Sequence, residues 1–409
     1  MTSLGRTLKA SRALAGGMTQ AQLGATCNMS QAKISRIERG AESPTPAERR
    51  ALARALSIPP AMLGATETDE QNGGEDDMRR RELLVAAAGI GIGAATIPAT
   101  PATGHGAPGP GWDAALFRDI GKPTMNGAQL HAGLDTVARQ IGEARYVEAA
   151  RAVPHLVAAA RAHARHSGPG GAETLARAYV VATAVSVKER TDVSWLTADR
   201  SVQAARQARN PVVAAMAARA QYVVLRQRGH HEWAAQVADQ AVADLSGEER
   251  ARPVLAHLLL ESAYGAAQAG DTTRAASLYE QARDTAARGP ATTTWVDAPG
   301  PMTSDQVERY GLCIHHVLGD SRAALKHLAA VNGKRLATRE REARVRHDSA
   351  KLYRDMGDLP SALALLQQHA EETPQDARRS SVKVMISGML AVSPSMPGLN
   401  QLAVRVGAA

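Results

Sequence analysis

Apolar residues recur every three or four positions along most of this 409-residue chain. From about Asp113 onward, this helical spacing is interrupted only by short breaks, and no stretch alternates apolar and polar residues as a strand would. Alanine, the best helix former, is abundant, while aromatic residues make up only 3% of the chain. The pattern therefore predicts an all-α protein.

The first 63 residues contain several short helical stretches separated by turns. Leu4, Leu8 and Leu14 lie along the first stretch, and "TQAQLGATC", "SQAKISRIERG" and "SPTPAERRALARAL" follow, with a short fifth turn at "PPAML". Ser and Thr cap helices by accepting hydrogen bonds from the free amides of the first turn, and glycine often ends them. The expected caps are Thr19, Ser30 and Thr45, with Pro46 at a first helical position, Asn28 in a left-handed turn and Gly40 as a helix end.

The second and third stretches are separated by the three-residue turn "NMS". Two short helices with such a turn form a helix-turn-helix, whose second helix enters the major groove of DNA. Ile34 and Ile37 point to one side of that helix and leave polar and basic residues outside. Glutamine matches the edge of adenine, arginine matches that of guanine, and flanking cations neutralise phosphates.

The stretch "MTQAQLGATCNMSQAKISRIERGAESPT" resembles the DNA-binding domain of the XRE family, which includes the lambdoid phage repressors. The resemblance covers about residues 3–63 and implies five helices, with Arg12 and Glu38 as a buried ion pair. The sequence departs from the family pattern at Asn28, where glycine is usual, and at Gly24, where alanine is usual. The DNA-binding residues that we expect are Thr19, Gln20, Gln31, Ala32, Lys33, Ser35, Arg36 and Arg39, with Gln20 on a backbone phosphate and base contacts from Gln31, Ala32 and Ser35.

Charge supports a polyanionic partner for this first domain. The chain carries a net charge of +8, and residues 1–63 alone hold nine Lys or Arg against three Asp or Glu. The chain has two cysteines, Cys27 and Cys313, without CxxC spacing. That pattern favours a reducing compartment and argues against a disulfide framework or a zinc site.

Residues 64–111 are interpreted as a linker that contains an apolar, signal-like segment at 79–97. Three arginines precede Leu83–Ile97, which is fifteen residues long, whereas a membrane span needs about twenty. Three interpretations stay open: a helix that packs on the C-terminal domain or on a partner subunit, a vestigial signal-like linker, and a membrane or export signal in use. The position of the segment behind a DNA-binding domain favours the first and argues against a membrane role.

Residues 112–409 carry a repeated pattern of glycine followed five positions later by alanine. Such a glycine ends one helix, and the small residue lets the next helix press close. The spacing predicts an array of helix pairs, which helices at about 128–166 and 172–208 extend toward the N-terminus. The stretch "AKLYRDMGDLPSALALLQQ" resembles a tetratricopeptide repeat. The four pairs are Gly229 with Ala234, Gly270 with Ala275, Gly319 with Ala324, and Gly357 with Ala362.

Such arrays present a concave surface, and the resemblance implies that a peptide, protein or small-molecule effector binds there. The charged run "RLATREREARVR" at 335–346 is interpreted as a solvated helix face, with a nucleic-acid contact as the alternative. We expect no cofactor, metal site or enzymatic activity, because the sequence lacks a Walker A loop, HExxH and G-x-S-x-G. The candidate groove residues are Tyr222, Arg226, His257, Tyr264, Arg309, His315 and Lys351.

An XRE-type domain joined to tetratricopeptide-like repeats resembles an architecture that recurs in Gram-positive bacteria, including actinobacteria. It implies a cytoplasmic, sequence-specific transcription regulator that binds double-stranded DNA, as a homodimer on an inverted repeat. The alternative is a protein-interaction scaffold, either free or at a membrane, in which DNA binding is secondary.

Overall fold

The computed structural model describes residues 4, 5, 8, 9, 12, 18–56, 111–118, 124–189, 191–288 and 302–408. Throughout these ranges the regular secondary structure is helical, without a strand, so the all-α prediction is confirmed. The apolar segment 79–97, the "PPAML" turn and most of the proposed linker lie outside the described residues. No described helix combines the length and the apolar composition that a membrane crossing requires.

The N-terminal helices form a small domain around one apolar core. Helical residues between 4 and 12 precede α1 (Gln20–Thr26), α2 (Gln31–Arg39) and α3 (Pro46–Ala55). The predicted caps are confirmed: the side chains of Thr19, Ser30 and Thr45 accept backbone hydrogen bonds, and Gly40 ends α2 with a φ of 77°. The core consists of Leu8, Leu23, Ile34, Ile37, Leu52, Ala53 and Leu56.

The C-terminal region continues with a long series of helices and one 3₁₀ turn, Glu249–Ala251. The helices are α4 (Trp112–Phe117), α5 (Gly127–Gly142), α6 (Tyr146–Ala164), α7 (Gly168–Glu189), α8 (Val193–Ala208), α9 (Pro211–Gln227), α10 (His231–Leu245), α11 (Arg252–Ala269), α12 (Thr272–Arg288), α13 (Ser304–Val317), α14 (Ser321–Val331), α15 (Arg339–Asp355), α16 (Leu359–Glu372), α17 (Pro374–Ala377), α18 (Ser380–Val392) and α19 (Leu399–Val406).

Helices α5 to α16 form six successive pairs, and the predicted repeat pattern marks four of their turns. Gly229, Gly270, Gly319 and Gly357 all adopt positive φ values between 80° and 89°, which favour glycine. The alanine that follows each glycine by five positions is buried against the first helix of its pair. These four expectations are confirmed, and the two earlier stretches each contain one pair, α5 with α6 and α7 with α8.

The array curves until its last pair contacts its first. The Tyr146 hydroxyl at the start of α6 donates to Asp376 Oδ1 in α17 over 2.5 Å, and the backbone N–H of Val147 donates to Gln375 Oε1 over 2.9 Å. Nearby, Lys188 Nζ lies 2.9 Å from Glu340 Oε1. The first helices of the pairs therefore surround a central cavity of about 880 Å³.

The charged run at 335–346 is only in part the solvated helix face that was expected: Arg335 and Arg339 are exposed, but other residues of the run are not. Residues 335–338 precede α15, and Arg341 and Ala343 are buried. Arg335 to Glu342 and Arg344 line the central cavity instead. Part of the run therefore lies against a charged cavity, which a sequence pattern does not distinguish from solvent.

Candidate DNA-binding surface and central cavity

The turn between α1 and α2 contains both departures from the family pattern. Asn28 adopts a φ of 54°, a left-handed conformation that Asn tolerates better than most residues. The N–H of Met29 then donates to the Gly24 carbonyl over 2.8 Å. A Cβ at position 24 would lie 2.6 Å from the Met29 carbonyl oxygen, so this tight turn requires glycine there. The two departures thus belong to one local geometry.

Helix α2 separates an apolar face from a polar one. Ile34 and Ile37 are fully buried, while Gln31, Ala32, Arg36 and Arg39 are exposed. Ser35 and Lys33 are partly exposed on the same outer face. The expected base-contacting residues therefore lie together on one accessible helical surface.

A buried carboxylate ties this helix to the elements before it. Glu38 Oε1 accepts from Arg12 Nε over 2.7 Å, and Glu38 Oε2 accepts from the Gln20 side chain over 2.7 Å. Burial alone would raise the pKa of Glu38, but the hydrogen bonds from Arg12 and Gln20 outweigh it and hold that pKa below its usual value. The predicted Arg12–Glu38 ion pair is confirmed.

The other residues expected at DNA have local roles as well. The Thr19 hydroxyl caps α1 in a reciprocal arrangement with Gln22, and the Gln20 side chain contacts Glu38. The first-turn amides of α1 leave that helix end suited to a phosphate. Contact of Thr19 and Gln20 with a phosphate stays a prediction.

Two cations of the outer face are held by carboxylates. Lys33 Nζ lies 2.5 Å from Glu48 and 3.5 Å from Glu42, and Arg36 Nε lies 2.7 Å from Glu42. The hydrogen bond to Glu48 raises the pKa of Lys33 despite its partial burial. A phosphate or base edge would have to compete with Glu42 for Arg36.

The central cavity is lined by the first helix of every pair from α5 to α15. A volume of about 880 Å³ is within the range of ligand sites in proteins. Of the candidate groove residues, Tyr264, Arg309 and Lys351 line this cavity. The structure therefore brings together three of the seven side chains that we expect to face an effector.

The remaining four candidates lie elsewhere. The Tyr222 hydroxyl donates to the Glu261 carbonyl over 2.9 Å, Arg226 lies 2.8 Å from the Glu261 carboxylate, and His257 is buried beside Arg341. These three side chains pack behind the cavity wall. His315 stacks on His327, with 5.0 Å between ring centroids, at a smaller cavity. Their contact with an effector stays a prediction.

Sequence reasoning missed several cavity residues that carry charge. Arg219 and Glu261 lie 2.8 Å apart on α9 and α11, and Arg341 lies on α15. A signal was present on α15, because Arg341, Arg344, Asp348 and Lys351 follow a helical spacing that places them on one face. The described residues contain no group of three or more side chains placed to hold a metal ion.

Comparison with known proteins bears on the N-terminal domain, which contains α2. Residues 3–65 match a family model described as a helix-turn-helix domain, so the N-terminal unit is a helix-turn-helix domain. Among solved structures, the chain is similar to Bacillus thuringiensis PlcR in a complex with the peptide PapR7 and DNA. That match has 13% identity, covers 93% of this chain and 99% of PlcR, and has a TM-score of 0.33. No curated protein matches the chain.

Proposed function

We propose that this protein is a sequence-specific DNA-binding transcription regulator of the XRE type, whose activity responds to an effector in the central cavity. Helix α2 enters the major groove, and Gln31, Ala32 and Ser35 contact base edges. Two copies bind an inverted repeat as a homodimer in the cytoplasm, which places two recognition helices about 34 Å apart. We further propose that the protein is not an enzyme.

The observation that carries the proposal is the outer face of α2 within a matched helix-turn-helix domain. Gln31 and Arg36 are exposed there, while the opposite face is fixed by buried Ile34 and Ile37. A rigid helix that presents amide and guanidinium groups outward has the donors and acceptors that base edges require. A polar outer face is common to all amphipathic helices, so it is the match to a helix-turn-helix domain that assigns this face to DNA.

Contacts between the two domains support the effector response. Thr45, whose hydroxyl caps α3, lies close to Gly319 in the turn after α13. A Cβ added at Gly319 would be only 2.6 Å from the Thr45 methyl group. At the end of α15, the negative charge of Asp355 acts on Arg49 in α3. Helices α13 and α15 also line the cavity, so a shift of either helix on effector binding would reach the DNA-binding domain.

Selection of binding sites from random double-stranded DNA tests the proposal. Full-length protein at near-physiological salt should enrich an inverted repeat. Gln31→Ala and Arg36→Ala should each lower affinity for that site about tenfold and relax the preferred sequence, since a good base contact discriminates by about 1–3 kcal/mol.

Arg322→Ala, which removes an exposed arginine on α14, is the matched control and should bind as wild type. Enrichment of no sequence would contradict a sequence-specific regulator. Unchanged affinity in both α2 variants would contradict the assigned recognition helix.

A further inference from the structure

The central cavity has more cationic than anionic side chains in its wall. Nine arginines and lysines line it, against six aspartates and glutamates. Several of these carboxylates already form ion pairs. Glu340 lies 2.9 Å from Lys188 and 3.2 Å from Arg344, and Asp348 lies 3.3 Å from Lys351. The wall of this concave cavity, which is partly open to solvent, therefore carries a net positive charge, and its buried charges are only weakly screened.

Three arginines from different helices concentrate this charge. Arg219 on α9, Arg309 on α13 and Arg341 on α15 all line the cavity. The carboxylate among them, Glu261, already accepts from Arg219, from Arg226 behind the wall and from the Tyr310 hydroxyl, each within 2.9 Å. Glu261 is thus shared by two arginines, and Arg309 lies 3.8 Å from a second carboxylate, that of Asp348.

The electrostatics of Arg341 agree with this geometry. Burial, followed by the charges of Arg309 and Arg219, lowers the pKa of Arg341 to about 10. Burial acts on Arg309 too, but neighbours that include Tyr310 and Asp348 outweigh it and raise the pKa of Arg309, so an added anion would mainly offset the repulsion on Arg341. Arginine is suited to this role, because its planar group binds carboxylates and phosphates in a bidentate manner.

Helices α5, α7 and α9 contribute most of the aliphatic side chains of the wall. These side chains alternate with polar lining residues such as Arg139, Thr183 and Lys188, so the same wall offers apolar area beside charge. The aliphatic residues are Ala138, Ile141, Val180, Ala184, Val187, Ala220 and Val223.

We propose that the cavity binds an organic anion with an apolar body, and that Arg219, Arg309 and Arg341 hold its acidic group. The apolar body lies against α5, α7 and α9. This assignment rests on the proposed function only in treating the cavity ligand as the effector. The acidic group belongs either to an aliphatic acid or to the free carboxyl terminus of a short apolar peptide.

Calorimetric titration of the full-length protein tests the charge requirement with matched probes. Decanoate is compared with decan-1-ol, which has the same chain without the charge. An N-acetylated apolar tetrapeptide with a free carboxyl terminus is compared with its C-terminal amide. We expect at least one anion to bind about tenfold or more tightly than its uncharged partner, as a charge-assisted hydrogen bond to arginine would give.

Variants locate the anion. Arg219→Gln and Arg341→Gln should each weaken binding of the preferred anion about tenfold, while Arg322→Gln, on the outer helix α14, should not. Circular dichroism of each variant checks that it is folded. Preference for decanoate would identify an aliphatic acid, and preference for the free peptide acid would identify a peptide carboxylate.

Equal binding of each anion and its uncharged partner, or absence of binding by all four probes, would overturn the proposal. Wild-type anion affinity in both folded cavity variants would also overturn it. These readouts do not involve DNA. Loss of the anion site with intact operator selection would leave a regulator with another effector, whereas anion binding without operator selection would contradict the proposed function alone.

Discussion

At the scale of single residues, carboxylates of the same domain partly neutralise the outer face of α2, which we propose as the recognition surface. Arg36 and Lys33 both contact Glu42, and Lys33 also contacts Glu48. Arg36 is close to half exposed, so its ion pair lies in water and contributes little to stability. The consequence of this pairing is therefore expected in DNA affinity and not in folding.

Replacement of Glu42 by glutamine should raise DNA affinity. The change frees Arg36 for a phosphate or base edge and removes a negative charge near the DNA backbone. We expect an affinity about two- to fivefold higher, and a steeper salt dependence, in a titration of labelled operator at several salt concentrations. Glu371→Gln, the same change at an exposed site on α16, should have no effect. Equal or weaker binding of the Glu42 variant would show that Glu42 positions Arg36 and does not compete for it.

Much of this domain follows from sequence at the residue scale. Caps at Thr19 and Ser30, the left-handed Asn28 and the Arg12–Glu38 pair are predictable because each depends on neighbours in the chain or on a family pattern. The role of Glu42 is different. It depends on the path of the chain after Gly40, which brings Glu42 back toward Arg36.

At the scale of helices, the glycines that end the first helix of a pair are required by backbone conformation. Gly357 adopts a φ of 89°, and a Cβ there would meet no atom within 4 Å. Space is therefore not the constraint, and any cost of a side chain at this position comes from the left-handed conformation.

Gly357→Ala should lower the free energy of unfolding of the repeat region by about 1 kcal/mol. Gly388→Ala is the matched control, because Gly388 lies inside α18, outside the positive-φ region, and a Cβ there also meets no atom within 4 Å. That control should stabilise by about 0.5–1 kcal/mol, the helix preference for alanine over glycine. Hydrogen exchange across 352–366 and 380–392 measures both changes locally. Equal effects of the two substitutions would show that positive φ does not govern the repeat turn.

The pairing of the helices was predictable from the sequence. Whether a charged helix face lies toward solvent or toward the cavity was not. Glycine and alanine spacing reports turns and close packing, which are local properties. By contrast, part of the run at 335–346 faces a cavity that exists only because six pairs curve around it. Charged residues such as Arg341 look alike in sequence whether they face solvent or an ionic interior.

At the scale of the whole molecule, the array closes through contacts between residues more than 220 positions apart. Tyr146 and Asp376 form one buried hydrogen bond, and Asp376 also binds His369 and Arg379. The charge of Arg379 and the hydrogen bond from His369 outweigh burial and hold the pKa of Asp376 well below its usual value. Beside it, Gln375 accepts from the Val147 N–H and donates to Glu148.

We call these contacts between α6 and α17 the seam. No sequence pattern predicts the seam, because neither Tyr146 nor Asp376 belongs to a repeated local spacing. If closure defines the cavity, weakening the seam should open the array without unfolding its helices. The double variant Tyr146→Phe with Gln375→Ala removes the cross-seam hydrogen bonds of both side chains and leaves Asp376 paired with His369 and Arg379. The expected cost is about 2 kcal/mol of closure free energy.

We expect this double variant to retain its helical circular dichroism while its radius of gyration in solution scattering increases and amide exchange at 144–150 accelerates. Gln368→Ala is the control, because the Gln368 side chain is exposed and donates to Glu372 one turn further along α16. The same opening should weaken binding of any cavity ligand, since α5, α7 and α15 would no longer enclose it. A variant with unchanged scattering and unchanged exchange would show that packing elsewhere, and not this seam, holds the array closed.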